Sequence, residues 1–280
     1  MYNKILTLEG NNIIVIYTKM YETVARMVLK YYDTEQFEKT AFVINVLVDE
    51  NSNDIDYRTT FPNWNKYIYY QLNNLFLYSE DVAEEHMNQF DEIWECTQAH
   101  NKYYPQDVIS KVVFMPLRYI NLPKIEPKEE YKYDLCFIDT ITPFRGETIS
   151  RLTKYWTNDY CKVKTINGYP YTEMADDISD CKYILDIPRR IDSGIIVNHV
   201  RIFESICSGK NIIIENGWGY DNIYTYLVKT YGNITEVLNI IKEDPIDNSE
   251  TFRKWTESNY NYEEWRKYWM GNNYKQKLNL

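Results

Sequence analysis

The sequence predicts an α/β protein made of two Rossmann-like halves, and three observations predict it. Short apolar runs alternate with longer stretches of helical period, which is the pattern of βα units around a parallel sheet. The alternation occurs twice, and between the two occurrences lies a stretch with prolines, charges and no apolar period. At 280 residues the chain also exceeds the usual size of one domain and can bury two cores.

In the first half the short apolar runs Asn12–Tyr17, Ala41–Val48, Lys66–Gln71, Glu92–Cys96 and Lys111–Met115 have the length of buried strands. Tyr21–Tyr32 and Glu80–Phe90 between them carry helical patterns. Leu117–Lys132 (LRYINLPKIEPKEEYK) reads as a linker. The rhythm resumes with strands at Tyr133–Ile138, Cys161–Ile166, Cys181–Ile187 and Asn211–Glu215, separated by helices near Gly146–Trp156, Tyr171–Ser179 and Asn198–Ser208. After Tyr220 the pattern turns wholly helical, and Trp255, Tyr262, Trp265 and Trp269 recur on one helical face of the tail. The expected organisation is a domain at 1–120, a linker at 121–132, a domain at 133–250 and a helical tail at 251–280 that packs back across the domains. In such sheets ligands collect at the carboxyl ends of the strands, here in the cleft between the halves.

Composition bounds the function. Hydrophobic residues at 44% and charged residues at 26% are globular values. A formal net charge of −10 works against non-specific attraction to nucleic acid or anionic membranes, which needs clustered Lys and Arg. Cys96, Cys136, Cys161, Cys181 and Cys207 form no CxxC pair, the usage of buried thiols in a reducing compartment. No signal segment and no apolar window of about 18 residues stands out, so the expected location is cytoplasmic, without a membrane span. The 28 tyrosines fit either an aromatic surface for sugars or bases, or a bias that substitutes Tyr for other apolar residues.

The familiar nucleotide and hydrolase motifs are missing. There is no GxGxxG after the first strand, no P-loop, no HExxH and no GxSxG. Asp54-Ile55-Asp56 can be a metal-holding acidic pair or a solvated turn. Arg145, between a strand and a helix start, can serve a phosphate, where helix amides and a guanidinium fork converge, or can pair with Glu147 on the surface. Arg189 and Arg190 close a strand as a phosphate clamp or a solvated pair. In NHVRIFESICSGKNIIIE, Val200, Phe203, Ile206 and Cys207 form an apolar helical face, and Arg201, Glu204 and Ser208 share the other. The bland reading of Arg201 and Glu204 is a surface ion pair worth a few tenths of a kcal/mol. The sharper one is a carboxylate for vicinal ribose hydroxyls, with His199 or Arg201 meeting a diphosphate at the helix start.

RIFESICSGKNIIIE resembles the donor-binding segment of GT-B glycosyltransferases, and YDLCFIDTITPFRGETISRL is similar to the start of their second domain. KYIYYQLNNLF, DEIWECTQAHNKYYP and KVVFMPLRY look like segments of their first domain, in the right order from Lys66 to Glu215. The resemblance implies two facing Rossmann domains and transfer of a sugar from a nucleotide-sugar donor without a cofactor or required metal. It gives Glu204 the ribose, Arg201 the place of the motif arginine beside it, for phosphate or for orienting Glu204, and Arg145 the basic residue near the donor phosphates; Arg189 and His199 join the donor side by their position alone. Gln71, Asn73 and Thr97 fall on the acceptor side, and His100 is the first candidate for the base, ahead of Asp54 and Asp56. The chain departs from the pattern at Val197, where retaining members carry an acid, and at Asn73, where a glutamate is usual. The acceptor stays open: a glycan, a protein, a small molecule or a modified DNA base. The alternatives are a DNA-modifying transferase of viral type and a non-catalytic nucleotide-sugar-binding protein.

Overall fold

The structure is a computed structural model that describes residues 4–44, 55–72, 86–96, 104, 107–154, 161–166, 170–191, 194–196, 199–216 and 227–259, with backbone only at 189–191, 194–196 and 259. The chain divides into two compact units, the first running to Arg118 and the second spanning Tyr119–Ser258. Both are α/β with mainly parallel sheets. Among the described residues no helix is long and apolar enough to cross a membrane.

The first unit opens with an antiparallel hairpin of β1 (Ile5–Glu9) and β2 (Ile13–Thr18). The sequence reading had no strand at β1, because the run is half exposed and its apolar residues alternate with polar ones. The turn is tied from outside. The Asp33 carboxylate accepts the amides of Asn11 at 2.9 Å and Asn12 at 2.6 Å. A Cβ on Gly10 would lie 2.5 Å from the Asp33 carboxyl carbon, so any other residue there would push aside the carboxylate that ties the turn.

β3 (Thr40–Ile44), β4 (Lys66–Gln71), β5 (Glu92–Glu95) and β6 (Val112–Phe114) then add in parallel, each beside the one before it. Strand register puts Ile14, Val43, Tyr69 and Ile93 on one face, where they form a core with Tyr57, Phe90 and Tyr104. The opposite face carries Phe42 and Trp94, and helix α1 (Glu22–Tyr32) sets Tyr32 against both rings. Burial on both faces is why these strands read as nearly unbroken apolar runs. The strand order advances without a reversal, so this sheet has no topological switch point.

The second unit has one. β7 (Tyr133–Ile138) lies between β8 (Val163–Ile166) and β9 (Cys181–Asp186), and the order continues from β9 to β12 (Ile212–Glu215) and β13 (Lys229–Tyr231), all in parallel. The chain steps from β7 outward to β8 and then back across β7 to β9, so the order reverses between β7 and β9. A short antiparallel hairpin, β10 (Arg189–Ile191) and β11 (Gly194–Ile196), follows β9. Pro143–Lys154, Ala175–Ser179, His199–Cys207, Ile234–Ile240 and Ser249–Asn259 are helical.

β13 corrects the reading of everything after Tyr220 as helical. Two of its three residues are polar, so no apolar run announces it; pairing with Ile213–Glu215 makes it a strand. Among the described strands it and β8 are the outer ones of their sheet, and each carries an ion-paired lysine: Lys164 with Asp177 and Lys229 with Glu243. Helix Ile234–Ile240 is capped reciprocally. Asn233 accepts the Glu236 amide at 3.1 Å, and the Glu236 carboxylate accepts the Gly232 amide at 2.7 Å.

Part of the linker stretch is firmly held within the second unit. The Tyr119 amide donates to Thr256 Oγ1 at 3.2 Å, the Ile125 amide donates to the Ser208 carbonyl at 2.9 Å, and Lys124 pairs with Asp247 at 3.0 Å. Of the four tail aromatics, Trp255 stacks on Phe252 within helix Ser249–Asn259, and the other three lie outside the described residues.

Candidate functional site

The switch point of the second sheet is built around Arg145. Residues after β7 turn at Asp139–Thr142 into helix Pro143–Lys154, which starts at the carboxyl edge with Pro in its first turn. Arg145 is buried, and its guanidinium points back at the strand ends. Nε donates to the Ile187 carbonyl just past β9 at 3.0 Å, and Nη1 donates to the Thr140 carbonyl just past β7 at 3.0 Å. Nη2 pairs with Asp139 at 3.0 Å. The ion pair therefore runs to Asp139 rather than to Glu147, because the side chain turns inward across the edge instead of along its own helix.

Helix His199–Cys207 also begins at this edge, between the β10–β11 hairpin and β12. All nine of its residues are buried. The polar face that carries Arg201 and Glu204 is therefore covered as well as the apolar one. Arg201 Nη1 meets Glu204 Oε2 at 3.1 Å with the two side chains 7% and 3% exposed, so the surface ion pair is overturned. The polar side has its own company. The Arg201 guanidinium lies 5.5 Å from the Tyr171 ring centre, and Tyr171 Oη is 2.7 Å from Ser208 Oγ. Ser208 in turn donates to the Ser205 carbonyl at 3.0 Å. Burial pushes the Tyr171 phenol well above its ordinary range, and the Glu204 carboxylate adds to the rise. On the apolar side Phe203 meets Phe252.

The Ser-Gly-Lys end of this motif has a structural purpose. Gly209 takes a φ of +79°, and the amides of Gly209 and Lys210 bond the Ile206 and Ser205 carbonyls, closing the helix. Lys210 is buried, donates to the Cys181 carbonyl at the amino end of β9 and lies over the Tyr131 ring. Burial depresses its pKa to about 8, against the opposing influence of Cys136 and Cys181.

In the first unit Gln71 is buried at the carboxyl end of β4, and its register partner on β5 is Glu95, also buried. The Tyr104 hydroxyl donates to Glu95 at 2.8 Å. Glu95 escaped the sequence reading because it sits inside a strand-like run, although EIWE carries two acids where a buried strand has none to spare. Asp56 caps the turn Tyr57–Thr60 by accepting the amides of Arg58 at 3.0 Å and Thr59 at 3.1 Å, the turn role of the two weighed for it. Among the described residues no group of three or more His, Cys, Asp or Glu is placed to hold a metal ion. The five cysteines are buried thiols.

The structure thus brings Arg145, His199, Arg201 and Glu204 into one sheet-and-helix unit and puts Gln71 in the other. Asn73, Thr97, His100, Asp54 and Val197 lie outside the described residues, and of Arg189 only the backbone is described.

No family model matches the chain, and no curated protein matches it. Among solved structures it is similar to accessory secretory protein 1, 2 and 3 of Streptococcus pneumoniae, at 10% identity over 90% of this chain and 54% of that one, with a TM-score of 0.40. It is similar to the lipopolysaccharide outer core galactosyltransferase WaaB in its apo form, at 9% identity over 93% of this chain and 78% of that one, with a TM-score of 0.39. A third is the glycosylation associate protein complex Gap123 of Streptococcus agalactiae, at 11% identity over 81% of this chain and 49% of that one, with a TM-score of 0.39. The chain spans about half the length of the first and third.

Proposed function

We propose that this chain is a GT-B-type glycosyltransferase that takes a sugar from a nucleotide-sugar donor held by the second unit and passes it to an acceptor held by the first. The observation that carries the reading is the Arg201–Glu204 pair. It sits on a helix that begins at the carboxyl edge of the only sheet with a switch point among the described strands. Two ionised groups taken out of water are costly to keep, and well-packed apolar residues serve stability as well or better. A nucleotide site gives such a pair a use.

On this reading Glu204 accepts from the ribose hydroxyls, and Arg201 orients it and faces the phosphates with His199 and Arg189. Negative charge growing on the leaving diphosphate meets these cations and the amides at the helix starts, so the chemistry needs no metal. The base comes from the first unit, with His100 and then Asp54 as candidates and the buried Glu95 beside Gln71 as a third, Asp56 being taken up by its cap. Because the pair is buried, donor entry has to uncover it.

Thermal melting with a panel of nucleoside diphosphates and nucleotide sugars tests this. A true donor at about 100 times its Kd stabilises by about 2.7 kcal/mol, a rise of several degrees. Glu204→Ala should abolish that rise while costing about 3 to 5 kcal/mol of stability, because Arg201 stays buried without its carboxylate. If no compound raises the melting point, or if Glu204→Ala keeps the full ligand shift, the reading fails. Binding without donor hydrolysis or transfer would make the chain a nucleotide-sugar sensor.

A further inference from the structure

Arg145 stands where a phosphate-binding arginine belongs, yet three of its donors are aimed at the protein. They reach the Thr140 carbonyl, the Ile187 carbonyl and the Asp139 carboxylate, each at 3.0 Å, and the side chain is 4% exposed. Thr140 and Ile187 follow β7 and β9, the two strands between which the sheet order reverses. We infer that Arg145 is a positioning residue of the donor site. It fixes the spacing of the strand ends on either side of the switch point and acts on a bound nucleotide through them, not by touching its phosphates. This rests on the nucleotide-binding reading above.

The geometry favours this role over direct contact. A guanidinium is a rigid planar fork whose donors leave in fixed directions, so spending Nε and Nη1 on carbonyls just past two different strands sets the distance between those strand ends. An arginine that grips a phosphate turns its fork toward the anion and often binds it through two parallel bonds. Here Asp139 already neutralises the charge at contact distance. The ring of Phe137, 5.4 Å from the guanidinium carbon, backs it within the unit. A lysine in its place keeps the charge and loses the fork.

The test compares the intact chain with Arg145→Lys, Arg145→Met and Asp139→Asn, using ligand-observed NMR affinities for matched pairs: uridine and UDP, guanosine and GDP, adenosine and ADP. A positioning residue shapes the whole crevice. Both Arg145 variants should weaken the nucleoside and its diphosphate by the same factor, about tenfold, with Lys no better than Met. Asp139→Asn, which leaves both carbonyl contacts in place, should change either affinity by less than about threefold. Loss confined to the diphosphate and restored by Lys overturns the inference in favour of phosphate contact. Unchanged affinities with a lowered melting point overturn it in favour of a purely structural part. If the Arg145 variants do not fold, Asp139→Asn decides: tighter diphosphate binding means that Asp139 had been competing with phosphate for Arg145, and unchanged binding supports positioning. If the unaltered chain binds none of these compounds and no nucleotide sugar, the nucleotide reading itself falls and this inference with it.

Discussion

Lys210 is a cation taken out of water at the end of a wholly buried helix, with a pKa lowered by burial to about 8 from 10.5. Below pH 8 the folded and unfolded chains both carry the proton, and the full cost of the buried charge, about 3 kcal/mol, is present. As pH rises from 8 toward 10.5 only the folded chain releases it, so this group makes the protein more stable with rising pH. Buried tyrosines such as Tyr104 and Tyr171 act in the opposite sense, since burial raises their pKa values and their share of stability is lost above pH 10. The difference between the intact chain and Lys210→Met cancels them. By urea unfolding it should move in favour of the intact chain by about 2 kcal/mol between pH 7.5 and 9.5; a flat difference would mean that Lys210 is not desolvated. Residue type and spacing made Arg201, Glu204 and Lys210 visible in the sequence as a group. Their burial was not visible, because charged side chains are ordinarily on the surface and the partners that cover them, Tyr171 and Tyr131, lie far upstream. Asp139 was close at hand in FIDT, but nothing in a linear pattern tells an arginine to reach back across a strand end rather than along its helix.

At the scale of elements, β4 and β7 have the bounds their apolar runs predict, Lys66–Gln71 and Tyr133–Ile138, because strands buried on both faces declare themselves in composition alone. β1, β13 and the β10–β11 hairpin did not declare themselves. They are short or half exposed, and their pairing comes from neighbours distant in the chain or from a turn. Helix Ile234–Ile240 shows the same division. Its apolar side is plain in the sequence, but its start depends on Asn233 and Glu236 exchanging hydrogen bonds, with the Asn233 amide group donating to the Glu236 carboxylate and its oxygen accepting the Glu236 amide. Asn233→Ala should lower stability by about 1 kcal/mol, and Asn233→Ser should recover most of it, since serine also accepts from the helix amides. Equal melting points for the three chains would show that tertiary packing alone sets this helix.

At the scale of the molecule, the two units solve one problem with different topologies. The first stacks its parallel strands in chain order and closes one side with an antiparallel hairpin; the second reverses its order around β7 and so has a topological switch point. Strand order belongs to neither composition nor periodicity, and the alternation of runs that predicted two parallel sheets is the same for both. The second sheet ends in two strands, β8 and β13, of four and three residues, each bearing a lysine held by a carboxylate from the chain that follows it. An open sheet margin is a template on which a second chain can add itself, and a charge there makes that addition costly. Lys164 and Lys229 are therefore expected to make such addition of further copies costly at high concentration. With both changed to Val, light scattering of the concentrated, still folded protein should climb steadily with time while the unaltered chain stays clear.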